Sequence, residues 1–238
     1  MSPSAPAQMT SDVRALPTEI EAAPLTLVAL SARETFYRKR GKRAFDAAVA
    51  IVLLALTAPL LLGLAALVGL TSGWPTLYFA ERIGRDGRPF KMWKFRTMVP
   101  DAEFELARWR QTNPALAAAY EEQFKLDDDP RVTRFGRFLR RSSLDELPQL
   151  WNVLRGDMSL VGVRPVVAAE VERYGEQAAF VLASRPGITG AWQVGGRNQV
   201  GYPQRKWIDV EYCQSTSLLG DLRILLRTLA APFSCGGL

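Results

Sequence analysis

The sequence predicts a mainly helical α/β protein. A re-entrant membrane helix hairpin lies near the N-terminus, amphipathic helices lie at the interface, and a small cytoplasmic domain carries a β-hairpin. Three observations predict it. No charge occurs from Ala47 to Ala80, and Ala47 to Leu70 is nearly all apolar with Pro59 in its middle. Clusters of Lys and Arg stand at both ends of that run. Beyond it, short β-prone runs give way to segments of helical period.

Residues 1–37 are rich in Ala, Pro, Ser and Thr and read as a disordered leader. No basic region precedes a compact apolar core there, so they do not read as a cleaved signal peptide. Residues 38–75 form the membrane element. The apolar run is long enough to cross a hydrocarbon core as one helix. Pro59 cannot donate to the carbonyl of Ala55, which predicts a kink or break at Ala58-Pro59, with Thr57 placed to help satisfy the freed carbonyls. Arg38, Lys39, Arg40, Lys42 and Arg43 precede the run, and Arg82, Arg85, Arg88, Lys91, Lys94 and Arg96 follow it. Positive charge favours the cytoplasmic side, and here it marks both ends. A helix-break-helix that dips into one leaflet satisfies both constraints. A Pro-kinked spanning helix is the alternative.

Residues 76–238 form the cytoplasmic, membrane-associated domain. Thr76–Phe79 and Phe90–Phe95 flank the turn Arg85-Asp86-Gly87-Arg88 and predict the β-hairpin. Asp101 to Lys125 is helix-prone, with a break near Pro114. Arg131, Arg134, Arg137 and Arg141 recur at helical spacing opposite Val132, Phe135, Phe138 and Leu139, the pattern of a basic amphipathic helix at a membrane surface. Helices are predicted over 147–154, 166–174, 176–183, 204–212 and 217–230, the last with Leu222, Leu225, Leu226 and Leu229 on its apolar face. The segment 156–165 reads as a loop or short strand. The glycine-rich RPGITGAWQVGGRN allows backbone to approach a ligand.

Composition narrows the chemistry. The 238 residues carry a net charge of +6, which suits a phosphorylated or membrane partner. Histidine is absent, which removes Ser-His and Cys-His nucleophiles and most transition-metal sites. The two cysteines show no CxxC spacing. No zinc finger, RRM signature or evident helix-turn-helix accompanies the basic stretch, so nucleic acid is not the expected partner.

The stretch SSLDELPQLWNVL holds adjacent carboxylates, Asp145 and Glu146. Ser143-Leu144-Asp145-Glu146 fits a capping box, and on its own the window favours a helix cap over a reaction centre. Its setting reverses that preference. KRAFD, the Pro-broken apolar run, ERIGRDGRPFKMWKFRTM, RRSSLDELPQLWNVLRGDMSLVGVRP, RPGITGAWQVGGRN and SLLGDLRILLRT stand in one order over about residues 41–230. Together they resemble the bacterial sugar transferases, monotopic phosphoglycosyl transferases that act on polyprenyl phosphate. The small size resembles the branch that initiates exopolysaccharide synthesis.

The resemblance implies transfer of a sugar-1-phosphate from UDP-galactose or UDP-glucose to undecaprenyl phosphate, with release of UMP. It makes Asp145 the nucleophile that forms a covalent phosphosugar intermediate. Glu146 orients the site, and Asp145 and Glu146 together hold Mg2+. It matches Arg140, Arg164 and Arg197 to arginines that contact phosphate. It implies a re-entrant hairpin at the cytoplasmic face of the bacterial inner membrane and leaves a homodimer open. The chain departs from the family pattern twice: Ala58-Pro59 stands for Ser-Pro, and Val163-Arg164-Pro165 for Pro-Arg-Pro. The alternatives are a catalytically idle membrane scaffold of a polysaccharide assembly complex and a hydrolase that gives the intermediate to water.

Overall fold

The computed structural model describes residues 35–113, 126, 129–195 and 202–230. Most of the leader and Arg197 lie outside the described residues. After a π-helical turn, Tyr37–Gly41, helix α1 runs over Lys42–Ser72. The strands β1 (Leu77–Ile83) and β2 (Pro89–Phe95) follow, then α2 (Ala102–Thr112), α3 (Arg134–Arg141), α4 (Gln149–Arg155), β3 (Ser159–Val161), α5 (Ala168–Tyr174), α6 (Ala178–Leu182), β4 (Gly187–Thr189), α7 (Ala191–Gly195), α8 (Tyr202–Ser215) and α9 (Leu218–Ala230).

Helix α1 is long and apolar enough to cross a membrane, and most of its apolar surface is uncovered. Ala58 and Pro59 do not divide it into two helices: helical structure continues through them. Pro59 removes one donor, while the residues on either side keep their own ladder. Thr57 does not answer the carbonyl of Ala55, because its hydroxyl donates to Leu53 O at 2.7 Å.

Both ends of α1 rest on the same body. Near the start, Ala50 is buried in a core with Met158, Leu160, Val161 and Val153. Near the end, Leu64 and Val68 pack with Phe95 and Leu139. The middle is bare, with Leu56, Leu60 and Leu62 exposed.

Polar contacts fasten the first end. Asp46 accepts from Ser159 Oγ at 2.7 Å and from the Leu160 N–H at 3.2 Å. Lys42 Nζ lies 2.6 Å from Asp221 Oδ2 on α9, and the Tyr37 and Tyr212 hydroxyls donate to the same carboxylate. Asp221 is 0% exposed. Removing the cation strands a buried charge, so Lys42→Met is expected to destabilise the protein by about 3 kcal/mol, seen as a lowered Tm.

The β-hairpin is antiparallel and longer at its first strand than the sequence suggests. Ala80 and Ile83 are buried against the core, and the Ile83 N–H donates to Val166 O, which carries the strand past Phe79. Asp86 takes a positive φ in the turn.

A second, parallel pair joins β3, within the segment read from sequence as a loop or short strand, to β4, within the glycine-rich segment. Glycines of both segments make the pairing possible. A Cβ on Gly187 would stand 2.1 Å from Gly162 N, and one on Gly190 would stand 2.4 Å from Gly162 O.

Helix α3 begins three residues later than its arginine spacing suggests. Thr133 caps it by accepting from the Gly136 N–H at 2.9 Å. Arg131 is not part of a solvated basic face. It is buried and grips Asp129, Nη2 to Oδ2 at 2.6 Å. On the helix itself Arg134, Arg137 and Arg141 are exposed. Of the apolar stripe on α9, Leu225 packs against the core, while Leu222, Leu226 and Leu229 are exposed.

Candidate active site

The chain leaves α3 through Ser142 and turns sharply at Ser143, whose φ of 56° is left-handed. A 3₁₀ turn, Leu144–Glu146, then leads through Pro148 into α4. The expected capping box does not form. A capping serine needs extended backbone to aim its hydroxyl at the helix amides, and Ser143 is left-handed instead. Its backbone is used instead: the N–H donates to Arg140 O and the carbonyl accepts the Glu146 N–H, each at 3.2 Å. The two carboxylates are therefore free of capping duty; Asp145 accepts from its own backbone N–H, and further partners come from elsewhere in the chain.

Strand β2 supplies the first. Phe90, Met92 and Lys94 share one strand face, on which Met92 is buried. Lys94 Nζ reaches Glu146 Oε1 at 2.7 Å and Asp145 Oδ2 at 3.8 Å. Helix α3 supplies the second. Arg140 donates from Nε to Thr97 Oγ1 at 2.9 Å, and its charge acts on Asp145. Thr97 is itself fixed, because its carbonyl accepts the Thr133 N–H at 3.0 Å.

Asp145 is 6% exposed. Burial pushes its pKa up to about 6, and the neighbouring Glu146 charge adds to the rise, while Lys94 and Arg140 oppose it. A carboxylate with this pKa is largely ionised at neutral pH yet poorly solvated, which suits a nucleophile.

Asp145, Glu146 and Arg140 thus meet in one place. Arg164 is exposed, and no hydrogen bond or ion pair ties it to either carboxylate. It lines a narrow hollow with Ile83, Gly84, Val163 and Pro186, beside the turn end of the hairpin.

From sequence, Lys94 and Thr97 lie inside the motif ERIGRDGRPFKMWKFRTM, and neither is singled out as a site residue. The usable signal for Lys94 was its place on the inward face of an alternating strand.

Among the described residues, no three His, Cys, Asp or Glu side chains converge on a metal position. Asp145 and Glu146 offer hard oxygen donors. Magnesium is commonly bound by one or two carboxylates together with substrate phosphates, so the pair fits Mg2+ in that mode.

Residues 37–234 match the family described as bacterial sugar transferase. The chain belongs to that family. Among curated bacterial sugar transferase relatives, a UDP-galactose-lipid carrier transferase of Erwinia amylovora is 48% identical over 196 residues, 82% of this chain and 41% of that one. The exopolysaccharide production protein ExoY of Rhizobium meliloti is 47% identical over 190 residues, 80% of this chain and 84% of the relative. A UDP-glucose:undecaprenyl-phosphate glucose-1-phosphate transferase of Caulobacter vibrioides is 43% identical over 196 residues, 79% of this chain and 68% of the relative. The chain therefore spans about two fifths of the Erwinia protein but most of ExoY.

Proposed function

We propose that this bacterial sugar transferase moves a galactose- or glucose-1-phosphate from its UDP-sugar to undecaprenyl phosphate, starting exopolysaccharide synthesis. The observation that carries the reading is the buried Asp145 carboxylate, set between Lys94 and Arg140. The names of the relatives support the donor and acceptor classes.

In this reading an Asp145 oxygen attacks the β-phosphorus of the UDP-sugar. The new P–O bond forms as the bond to the bridging α–β oxygen breaks, and UMP leaves with that electron pair. A phosphate oxygen of the lipid then attacks the same phosphorus. The bond to Asp145 breaks, and the carboxylate is restored. Phosphoryl transfer needs placement and charge neutralisation above all. Lys94 bridges the two carboxylates and offsets the repulsion between them. Arg140, with Arg164 and Arg197, takes the phosphate oxygens, for which the guanidinium fork is suited. Mg2+, held by Asp145 and Glu146, would neutralise diphosphate charge.

The re-entrant topology belongs to the same proposal. A helix of 31 residues is about 46 Å long, and residues near its start and near its end both pack on the body that carries Asp145, with the bare middle between them. Basic residues at both ends favour one side of the membrane, the cytoplasmic face of the inner membrane. The exposed arginines of α3 then face anionic headgroups, and Asp145 lies at the depth of the lipid's phosphate.

The test is UMP release by purified protein with Mg2+, undecaprenyl phosphate and a panel of UDP-sugars. Lipid-dependent release from one donor supports the transferase. Lipid-independent release indicates a hydrolase, and silence from folded protein indicates a scaffold. Lys94→Met is expected to lower kcat by about 10²-fold. Because the Lys94 charge lowers the Asp145 pKa, its loss should also move the acid limb of the pH–rate profile to higher pH.

A further inference from the structure

Asn152 lies on α4 and is 0% exposed. A buried amide in a short helix needs partners for both its donor and its acceptor. Its partners are the backbone of β2. Asn152 Oδ1 accepts the Trp93 N–H at 3.0 Å, and Nδ2 donates to Lys91 O at 2.8 Å.

These two peptide groups face away from β1, on the edge of the hairpin, where no strand pairs with them. One planar amide therefore answers an N–H and a C=O two residues apart, as a neighbouring strand would. Nδ2 also reaches Asp157 Oδ2 at 3.3 Å, and the Asn152 carbonyl accepts from the Gly156, Asp157 and Met158 amides. Side chain and main chain of Asn152 are both fixed.

The bonded stretch ends one residue before Lys94, while α4 itself starts three residues after Glu146. Asn152 thus ties the strand that carries the lysine to the turn that carries the carboxylates. We propose that Asn152 is a positioning residue: it fixes the register of β2 against α4 and so sets where the Lys94 ammonium stands between Asp145 and Glu146. Its consequence for turnover rests on the transferase reading above; its consequence for Lys94 does not.

Two measurements test this. The first needs no turnover. Reductive methylation of Lys94 relative to Lys91, read by mass spectrometry, reports how firmly the ammonium is engaged. In Asn152→Leu, below its melting temperature, the Lys94:Lys91 ratio should rise severalfold. An unchanged ratio overturns the proposal.

The second is a double-mutant cycle in UMP release. Asn152→Leu alone should lower kcat by about 10²-fold through misplacement, with KM for the donor unchanged. In a Lys94→Met background the same substitution should change kcat by less than about threefold, since the two act as a unit. Equal losses in both backgrounds would mean a general structural role and would overturn it. If Asn152→Leu does not fold, Asn152→Gln, which carries the same amide one methylene further out, goes through both measurements under the same criteria. Wild-type protein that releases no UMP refutes the transferase reading alone, because the labelling ratio still decides the position of Lys94.

Discussion

Replacing Asp145 with Asn is expected to abolish turnover and, at neutral pH, to make the protein harder to unfold. The loss in kcat should be at least about 10⁴-fold, the scale seen when a nucleophile is removed and binding is retained. The gain in stability follows from the same carboxylate. Its pKa of about 6 lies above the ordinary carboxylate range because burial disfavours the charge. The folded chain therefore holds this proton more tightly than the unfolded chain. Stability contributed by the protonated form is present below about pH 4 and is lost as pH rises through about 6. The amide has no charge to bury. Asp145→Asn should match wild type near pH 4 and exceed it by on the order of 2 kcal/mol above pH 7. Melting curves at the two pH values check the difference. In wild type, kcat/KM should fall about tenfold per pH unit below 6, as the nucleophile is protonated.

Gly136→Ala should disrupt both the fold and the site through a single methyl group. An ideal Cβ there would stand 2.0 Å from the Thr97 carbonyl oxygen and 2.8 Å from Thr97 Cα. Both are backbone atoms, so the helix must move. That contact also organises the site. Thr97 accepts from the Thr133 backbone at the start of α3 and from Arg140 near its end. Lifting α3 breaks both bonds and carries Arg140 away from Asp145. We expect a loss of about 3 kcal/mol from overpacking and a fall in kcat of about 10²-fold from the displaced arginine. Gly63→Ala is the control: its Cβ would meet nothing within 4 Å, and Tm and kcat should stay near wild type.

What could be read from the sequence was what local pattern determines. An uncharged apolar run makes α1, alternation around Asp86-Gly87 makes the hairpin, and the ordered motifs pick out Asp145, Glu146 and Arg140. What could not be read depends on partners distant in the chain. Lys94 and Glu146 are 52 positions apart and meet only because α4 lies against β2. The β3–β4 pair is three residues a side and owes its approach to glycines that, in sequence, resemble a ligand loop. The capping box failed because the path from α3 forces Ser143 into left-handed backbone, whereas local chemistry alone would have left it extended. Arg131 has the helical spacing of Arg134 and Arg137 but lies before the Thr133 cap, where it pairs with Asp129.

The attachment of α1 bears on how this protein can be handled. A membrane anchor is often treated as detachable, to be trimmed away so that a soluble fragment remains. Cutting before Gly73 would not do that here. It would take Asp46 from the Ser159 hydroxyl and the Leu160 amide, Lys42 from Asp221, and Arg43 from the carbonyls of Val153 and Leu154 at the end of the helix that follows the carboxylates. It would also uncover Met158, Phe95 and Leu139. The long apolar helix and the part that holds Asp145 are one folding unit, so biochemistry on this chain has to begin with the helix in place and its bare apolar surface covered by detergent or bilayer.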